Sequence, residues 1–164
     1  MATAPTITPC LWFDHDAEEA ARFYVSVFRD GRITAISRYG KEGQEVHGRP
    51  EGSVLTVAFE LAGRSFTALN GGPLFKFNEA ISFQVPCETQ ADIDYYWAAL
   101  SEGGVPDRCG WLKDRYGVSW QVYPAALPAM MSDPDRVKAD RTMRAMLGMT
   151  KFDVAALRAA YEGR

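Results

Sequence analysis

Residues able to do acid, base or metal chemistry are few in this chain, and their spacing scatters them. Two histidines, His15 and His47, and three cysteines, Cys10, Cys87 and Cys109, are all it holds. A strong divalent site needs two or three imidazole, thiolate or carboxylate ligands converging on one point. His15 falls in a strand-to-helix turn and His47 in a polar, Gly-rich loop, so they read as a turn residue and a solvated loop residue. A nucleophilic thiol needs a neighbouring base or cation to lower its pKa, and no histidine is evidently placed to serve Cys10. Asp114 and Arg115 sit in a tight turn, where local capping and solvation account for them. What remains are amides, hydroxyls and aromatic rings, which suit binding a planar or apolar small molecule better than making bonds.

The totals narrow the class further. At 164 residues and 47% hydrophobic content, the chain suits one compact domain or two fused half-domains with a sizeable core. Eighteen lysines and arginines against 21 aspartates and glutamates give a net charge of −3 without a basic stripe, so nucleic acid is not an expected partner. The start "MATAPTITPC" has neither a basic beginning nor an apolar run, and no later stretch approaches a spanning length. A cytoplasmic protein without membrane contact is the expectation. An odd number of cysteines with no CxxC pair suggests reduced, buried thiols.

The elements that must position the polar residues come in two similar sets. Residues 7–13 read as a strand, Asp16 as a helix N-cap with Glu19 three positions on, and Gly31 as a left-handed stop. Ala20, Phe23, Tyr24, Val27 and Phe28 fall at helical spacing between them. Strands are expected at Ile33–Tyr39, then in "SVLTVAFEL" and "SFTALN", joined by the turn Ala62-Gly63. A second set follows: a strand at Ile81–Val85, a helix capped by Thr89 with Ile93, Tyr96, Trp97 and Leu100 on one face, and strands in "RCGWLKD" and "GVSWQVYP". Offset by 72 residues, Leu11 and Phe13 match Phe83 and Val85, Phe23-Tyr24 match Tyr95-Tyr96, and Gly31 matches Gly103. Two copies of one half-domain are implied, the second shorter by about a strand. Neither can cover its own sheet, so the pair is expected to enclose a shared cleft.

Beyond Pro124 the pattern turns helical. Asp133-Pro134 reads as a cap with proline at the first helical position, Ala139, Met143, Met146 and Leu147 as an apolar stripe ended by Gly148, and Asp153 as the cap of a last helix. Five of the six methionines lie here, a composition that suits irregular packing on the chain's own sheet, contact with a second subunit, or a lid over the cleft.

The stretches "ITPCLWFDHDAEEAARFYVSVF", "FELAGRSFTALNGGP", "ISFQVPC" and "CGWLKDRYGVSWQVYP" resemble the PhnB-like branch of the glyoxalase/bleomycin-resistance/dioxygenase superfamily, also called vicinal oxygen chelate. The resemblance covers nearly the whole chain, tail included. It implies an α+β fold of two βαβββ modules, about 5–72 and 79–124, whose mixed sheets curl around a cleft as one domain over 1–124, with 125–164 as a helical extension. It also implies a homodimer. Proteins of this branch are often labelled 3-demethylubiquinone-9 3-methyltransferase. A methyltransferase of the usual doubly wound type needs a Gly-rich turn after its first strand to hold S-adenosylmethionine, whereas Gly71-Gly72-Pro73 precedes an aromatic loop.

Metal-dependent members of that superfamily place His, Glu or Gln ligands on the inward faces of four strands. Here Leu11, Phe13, Phe83 and Val85 should face the helices, leaving Cys10, Trp12, Ser82 and Gln84 inward. Aligning Phe66-Thr67-Ala68 with Trp120-Gln121-Val122 adds Thr67 and Gln121, with Asn70 as a further candidate. A one-residue slip would exchange Cys10 for Pro9 and Ser82 for Ile81. Trp111 or Trp120 could lie nearby or be core, and Phe75 and Phe77 fall on the joining loop. Neither register builds a strong divalent site. The expectation is therefore an unidentified small molecule bound in the cleft without metal or other cofactor. The alternatives are a metal-assisted isomerase, lyase or dioxygenase, the methyltransferase of the customary label, and a structural dimer working through the methionine-bearing tail.

Overall fold

The computed structural model describes residues 7–164, and residues 1–6, which open the segment read as lacking a leader and include the first positions of the first module, lie outside them. Two compact units divide the chain, one reaching to Lys76 and the other spanning Phe77–Arg164. The helical tail thus belongs to the second unit. Both units are α+β, each with an open mixed sheet of four strands among the described residues.

In the first unit β1 (Cys10–Phe13) runs into α1 (Ala17–Val27), followed by β2 (Arg32–Arg38), a one-turn helix α2 (Gln44–His47) inside the polar loop, and the hairpin β3 (Val54–Leu61) and β4 (Arg64–Asn70). The sheet order is β1-β4-β3-β2, with β1 parallel to β4 and the other pairs antiparallel. Ala62 and Gly63 both take left-handed backbone (φ 48° and 71°), the conformation that a two-residue hairpin turn demands. Strand alternation puts Leu11, Phe13, Val57, Phe59, Phe66 and Ala68 in the core, where α1 buries Ala17, Ala20, Ala21, Tyr24 and Val27. The Tyr24 and Phe59 rings stack 6.1 Å apart in that core.

Two features of α1 differ from expectation. Asp16 occupies the N-cap position without a side-chain cap bond. The buried Asn70 of β4 takes that role instead, accepting from the Ala17 N–H at 2.8 Å while its own amide nitrogen donates to the Val54 carbonyl at 3.0 Å. Half-buried Asp16 lies 3.2 Å from the His15 ring instead, whereas the Ala17 N–H is buried and takes the partner the sheet brings. Gly31 is not left-handed. It is needed because a Cβ there would lie 2.5 Å from the Val25 Cα.

The second unit repeats the first: β5 (Phe83–Cys87), α3 (Gln90–Ser101), β6 (Val105–Pro106), β7 (Trp111–Lys113) and β8 (Ser119–Pro124), in the order β5-β8-β7-β6. The strand missing from the sequence-based reading is present, but only two residues long. Proline at its second position cannot donate to a ladder, which suits the edge it occupies. Thr89 caps α3 as expected, accepting from the Asp92 N–H at 3.1 Å.

The tail forms α4 (Leu127–Met131), α5 (Arg136–Leu147) and α6 (Val154–Glu162). Asp153 caps α6 as expected, but α5 is capped by Asp135, two residues beyond the expected Asp133. The expected stripe on α5 is also displaced: Ala139 and Thr142 are buried while Met143 and Leu147 are exposed. The tail packs on its own unit through polar stitches. The Gln90 side chain donates to the Phe152 carbonyl at 3.0 Å and accepts from the Val154 N–H at 2.8 Å. The Cys109 and Gly110 amides, both left-handed (φ 56° and 77°), donate to the Met149 and Thr150 carbonyls at 2.8 Å. A Cβ on Gly110 would meet the Val122 carbonyl at 2.4 Å and the Phe152 ring at 2.6 Å, so only glycine admits this docking.

Because the long-range cap from Asn70 replaces the local one, Asn70→Ala is expected to cost about 2 kcal/mol in urea unfolding by stranding the buried Ala17 N–H, and Asp16→Ala less than about 0.5 kcal/mol. Equal losses for the two variants would contradict the assignment.

Candidate functional site

In the first unit β1 and β4 pair in parallel with Cys10 opposite Thr67 and Trp12 opposite Leu69. Leu11 and Phe13 are buried in the core, so Cys10, Trp12 and Thr67 share the other, open face, in the register expected. The Trp12 indole N–H donates to the Gly72 carbonyl at 2.9 Å, and its ring meets Phe75 edge-on at 4.9 Å. Gly71 lies so close beneath the indole that a Cβ would sit 2.2 Å from it. Trp12 therefore offers a held aromatic face with its polar handle already used. Asn70 falls on the opposite, helix side with both ends of its amide occupied, which removes it from the open face.

Cys10 is exposed overall, yet partial burial of the thiol pushes its pKa above the usual value. Burial pushes the Cys87 thiol further, to about 11. These shifts favour the thiol over the nucleophilic thiolate. His15 is exposed in its turn between Asp14 and Asp16, as expected. His47 is less solvated than expected: its ring packs 4.5 Å from Tyr39 and accepts the Arg49 N–H at 3.0 Å. Among the described residues no group of three or more His, Cys, Asp or Glu side chains is arranged to hold a metal ion.

The second unit brings more together. Parallel pairing of β5 with β8 places Gln84 beside Gln121, and β7 places Trp111 on the other side of Gln121. Val85 and Val122 fill the core, so Ser82, Gln84, Trp111, Gln121 and Tyr123 occupy the open face. The Gln121 amide nitrogen donates to the Ser82 hydroxyl at 2.8 Å, and the Tyr123 hydroxyl to the Gln84 side-chain oxygen at 3.4 Å. The 72-residue correspondence combined with this register makes Leu69, not Thr67, the counterpart of Gln121, a two-residue offset that leaves the face unchanged. Trp120 is core: its indole donates at 2.8 Å to buried Asp114, whose other oxygen takes the Tyr116 and Val118 amides. Asp114 is thus the turn-capping residue expected.

Beside this face the tail forms one wall of an open-sided pocket. A cavity of about 330 Å³ is floored by Gln84, Gln121, Trp111 and Tyr123 and walled by Leu127, Pro128, Met131, Met146 and Phe152, with Cys109 at its margin. Its size falls at the lower end of small-molecule sites. No ionisable carboxylate, ammonium or guanidinium lines it. The tail residues were not identifiable as site residues from sequence, although the concentration of methionines there was the available signal.

The model of the family described as 3-demethylubiquinone-9 3-methyltransferase matches residues 5–123. The PhnB protein from Bacillus cereus is 36% identical over 74% of this chain and 100% of its own, with a TM-score of 0.65. The chain belongs to this PhnB-like family. Two more distant structures share the fold: a Pseudomonas aeruginosa protein (20% identity, 74% of this chain, 98% of its own, TM-score 0.59) and the fosfomycin resistance protein FosX from Mesorhizobium loti (16%, 80%, 100%, 0.54). No curated protein matches the chain. The family match ends before α4, which corrects the expectation that the resemblance takes in the tail. This PhnB-like chain therefore walls its open face with helices outside the family's matched region.

The raised Cys10 pKa predicts a labelling profile. Site-resolved mass spectrometry of iodoacetamide labelling against pH is expected to show Cys10 reacting with a midpoint above that of a free cysteine. A midpoint at or below the free value would contradict the protonated, non-nucleophilic thiol.

Proposed function

We propose that this PhnB-like chain binds a small, uncharged organic molecule, without a metal, on the open sheet face of its second unit. The observation that carries the reading is the open-sided pocket of the second unit, where two adjacent glutamine amides are set among aromatic and thioether walls. Polar groups few in number, fixed in position and surrounded by apolar surface are the usual make-up of a ligand site. Ser82, Gln84 and Gln121 would orient the molecule there, while Cys10, Trp12 and Thr67 form the corresponding open face of the first unit. Homodimerisation and a cytoplasmic location stay part of the proposal. Among the described residues no helix is long and apolar enough to cross a membrane.

The side-chain types argue for binding without metal. Ser, Thr, Gln and a thiol with a raised pKa are weak ligands for borderline or hard divalent ions, and a Lewis-acid mechanism requires a firmly held one. Methyl transfer from S-adenosylmethionine is disfavoured by topology. Among the described residues each sheet has a single parallel strand pair, and the turn after β1 carries Asp14, His15 and Asp16 rather than glycines.

Ligand-detected NMR with a panel of neutral one- and two-ring heteroaromatics is expected to yield binders, and Met131→Glu, which sets a carboxylate in the wall, to weaken them roughly tenfold with little change in Tm. A panel without binders would overturn the reading. Elemental analysis of protein purified without chelator is expected to return less than one metal per chain, and calorimetry no heat with S-adenosylmethionine. A stoichiometric divalent ion would restore the metal-assisted enzyme, and micromolar S-adenosylmethionine binding the methyltransferase.

A further inference from the structure

We propose that the cavity of the second unit selects a planar, uncharged ring that carries an N–H next to a C=O, the edge of an aromatic lactam or cyclic imide. This rests on the preceding reading that the cavity is a ligand site, and it specifies the chemistry of what enters.

The argument starts from which ends of the two amides are already used. Gln121 gives its nitrogen to the Ser82 hydroxyl at 2.8 Å, which leaves its side-chain oxygen as an acceptor. Gln84 has its oxygen occupied by the Tyr123 hydroxyl at 3.4 Å, which leaves its nitrogen as a donor. The strand register sets the two residues directly opposite each other on parallel neighbours, about 4.8 Å apart along the hydrogen-bonding direction, so a donor and an acceptor stand side by side on one face. A ring with adjacent N–H and C=O presents the complementary pair along one edge. The N–H would donate to Gln121 and the C=O would accept from Gln84.

Charge and shape point the same way. With no ionised carboxylate, ammonium or guanidinium among the lining residues, an ionic ligand would lose its hydration without gaining a counter-charge. Trp111 and Phe152 supply aromatic faces, and Met131 and Met146 supply adaptable thioether contacts, all suited to the flat sides of a ring. The volume, about 330 Å³, suits one or two fused rings rather than an extended chain. Met131, Met146 and Phe152 lie beyond residue 123, where the family match ends, so the selectivity belongs to this chain's own tail.

Calorimetry on the full chain with three probes tests the assignment: 2-quinolone, its N-methyl derivative and quinoline-2-carboxylate. 2-Quinolone is expected to bind, N-methylation to weaken it about tenfold or more by removing the donor and stranding the Gln121 acceptor, and the carboxylate to bind more weakly still. In Gln121→Leu the preference for 2-quinolone over its N-methyl derivative is expected to fall to near onefold, a readout that a purely structural role for Gln121 would not move. Equal affinity of the two quinolones for the native chain, or tighter binding of the carboxylate, would overturn the ligand class while leaving the cavity a binding site. So would no binding of 2-quinolone by a protein that does bind other members of the neutral panel. Failure of the whole panel would instead bring down the underlying reading.

Discussion

Parallel pairing of the first strand of each unit with its last is the constraint on which everything else depends. It binds residues more than thirty positions apart into one register, and the two-residue period of the strand then divides every side chain between core and open face. Leu11, Phe13, Val85 and Val122 go inward to the helices, and Cys10, Trp12, Gln84 and Gln121 go to the other side. A slip of one residue in the β5–β8 pair would bury the glutamines and expose Val85 and Val122, an exchange that costs on the order of several kcal/mol in transfer free energy alone. The position of the glutamines is thus a by-product of core burial, enforced by residues that never touch a ligand.

That logic explains what was legible in the sequence. The two sets of elements, their helical faces and the division of strand side chains between core and open face could be read because each depends on local period and on apolar side chains, which declare their own burial. Caps tied to neighbours in sequence were also readable, as with Thr89 and Asp153. Features settled by distant partners were not. Asn70 resembles a cleft residue in the pattern, but the fold brings it under the start of α1, where the buried Ala17 N–H has a stronger claim on it than solvent does. The short β6 was hidden because two residues carry no periodic signal.

The tail shows the same division. Its helices and their composition were visible, but where they dock depends on Gly110, whose lack of a Cβ lets the Phe152 ring and the Val122 carbonyl approach, and on the side chain of Gln90. Those contacts set the tail as a wall beside the open sheet face. The Met131 and Met146 side chains then become walls.

The most direct test of the central claim is to follow the side-chain amide resonances of Gln84 and Gln121, together with the Trp111 indole N–H, while a neutral aromatic ligand is titrated into labelled protein. The account predicts that all three move together, saturably and with one dissociation constant. Shifts confined to other parts of the chain, with these three groups unmoved at saturation, would contradict it.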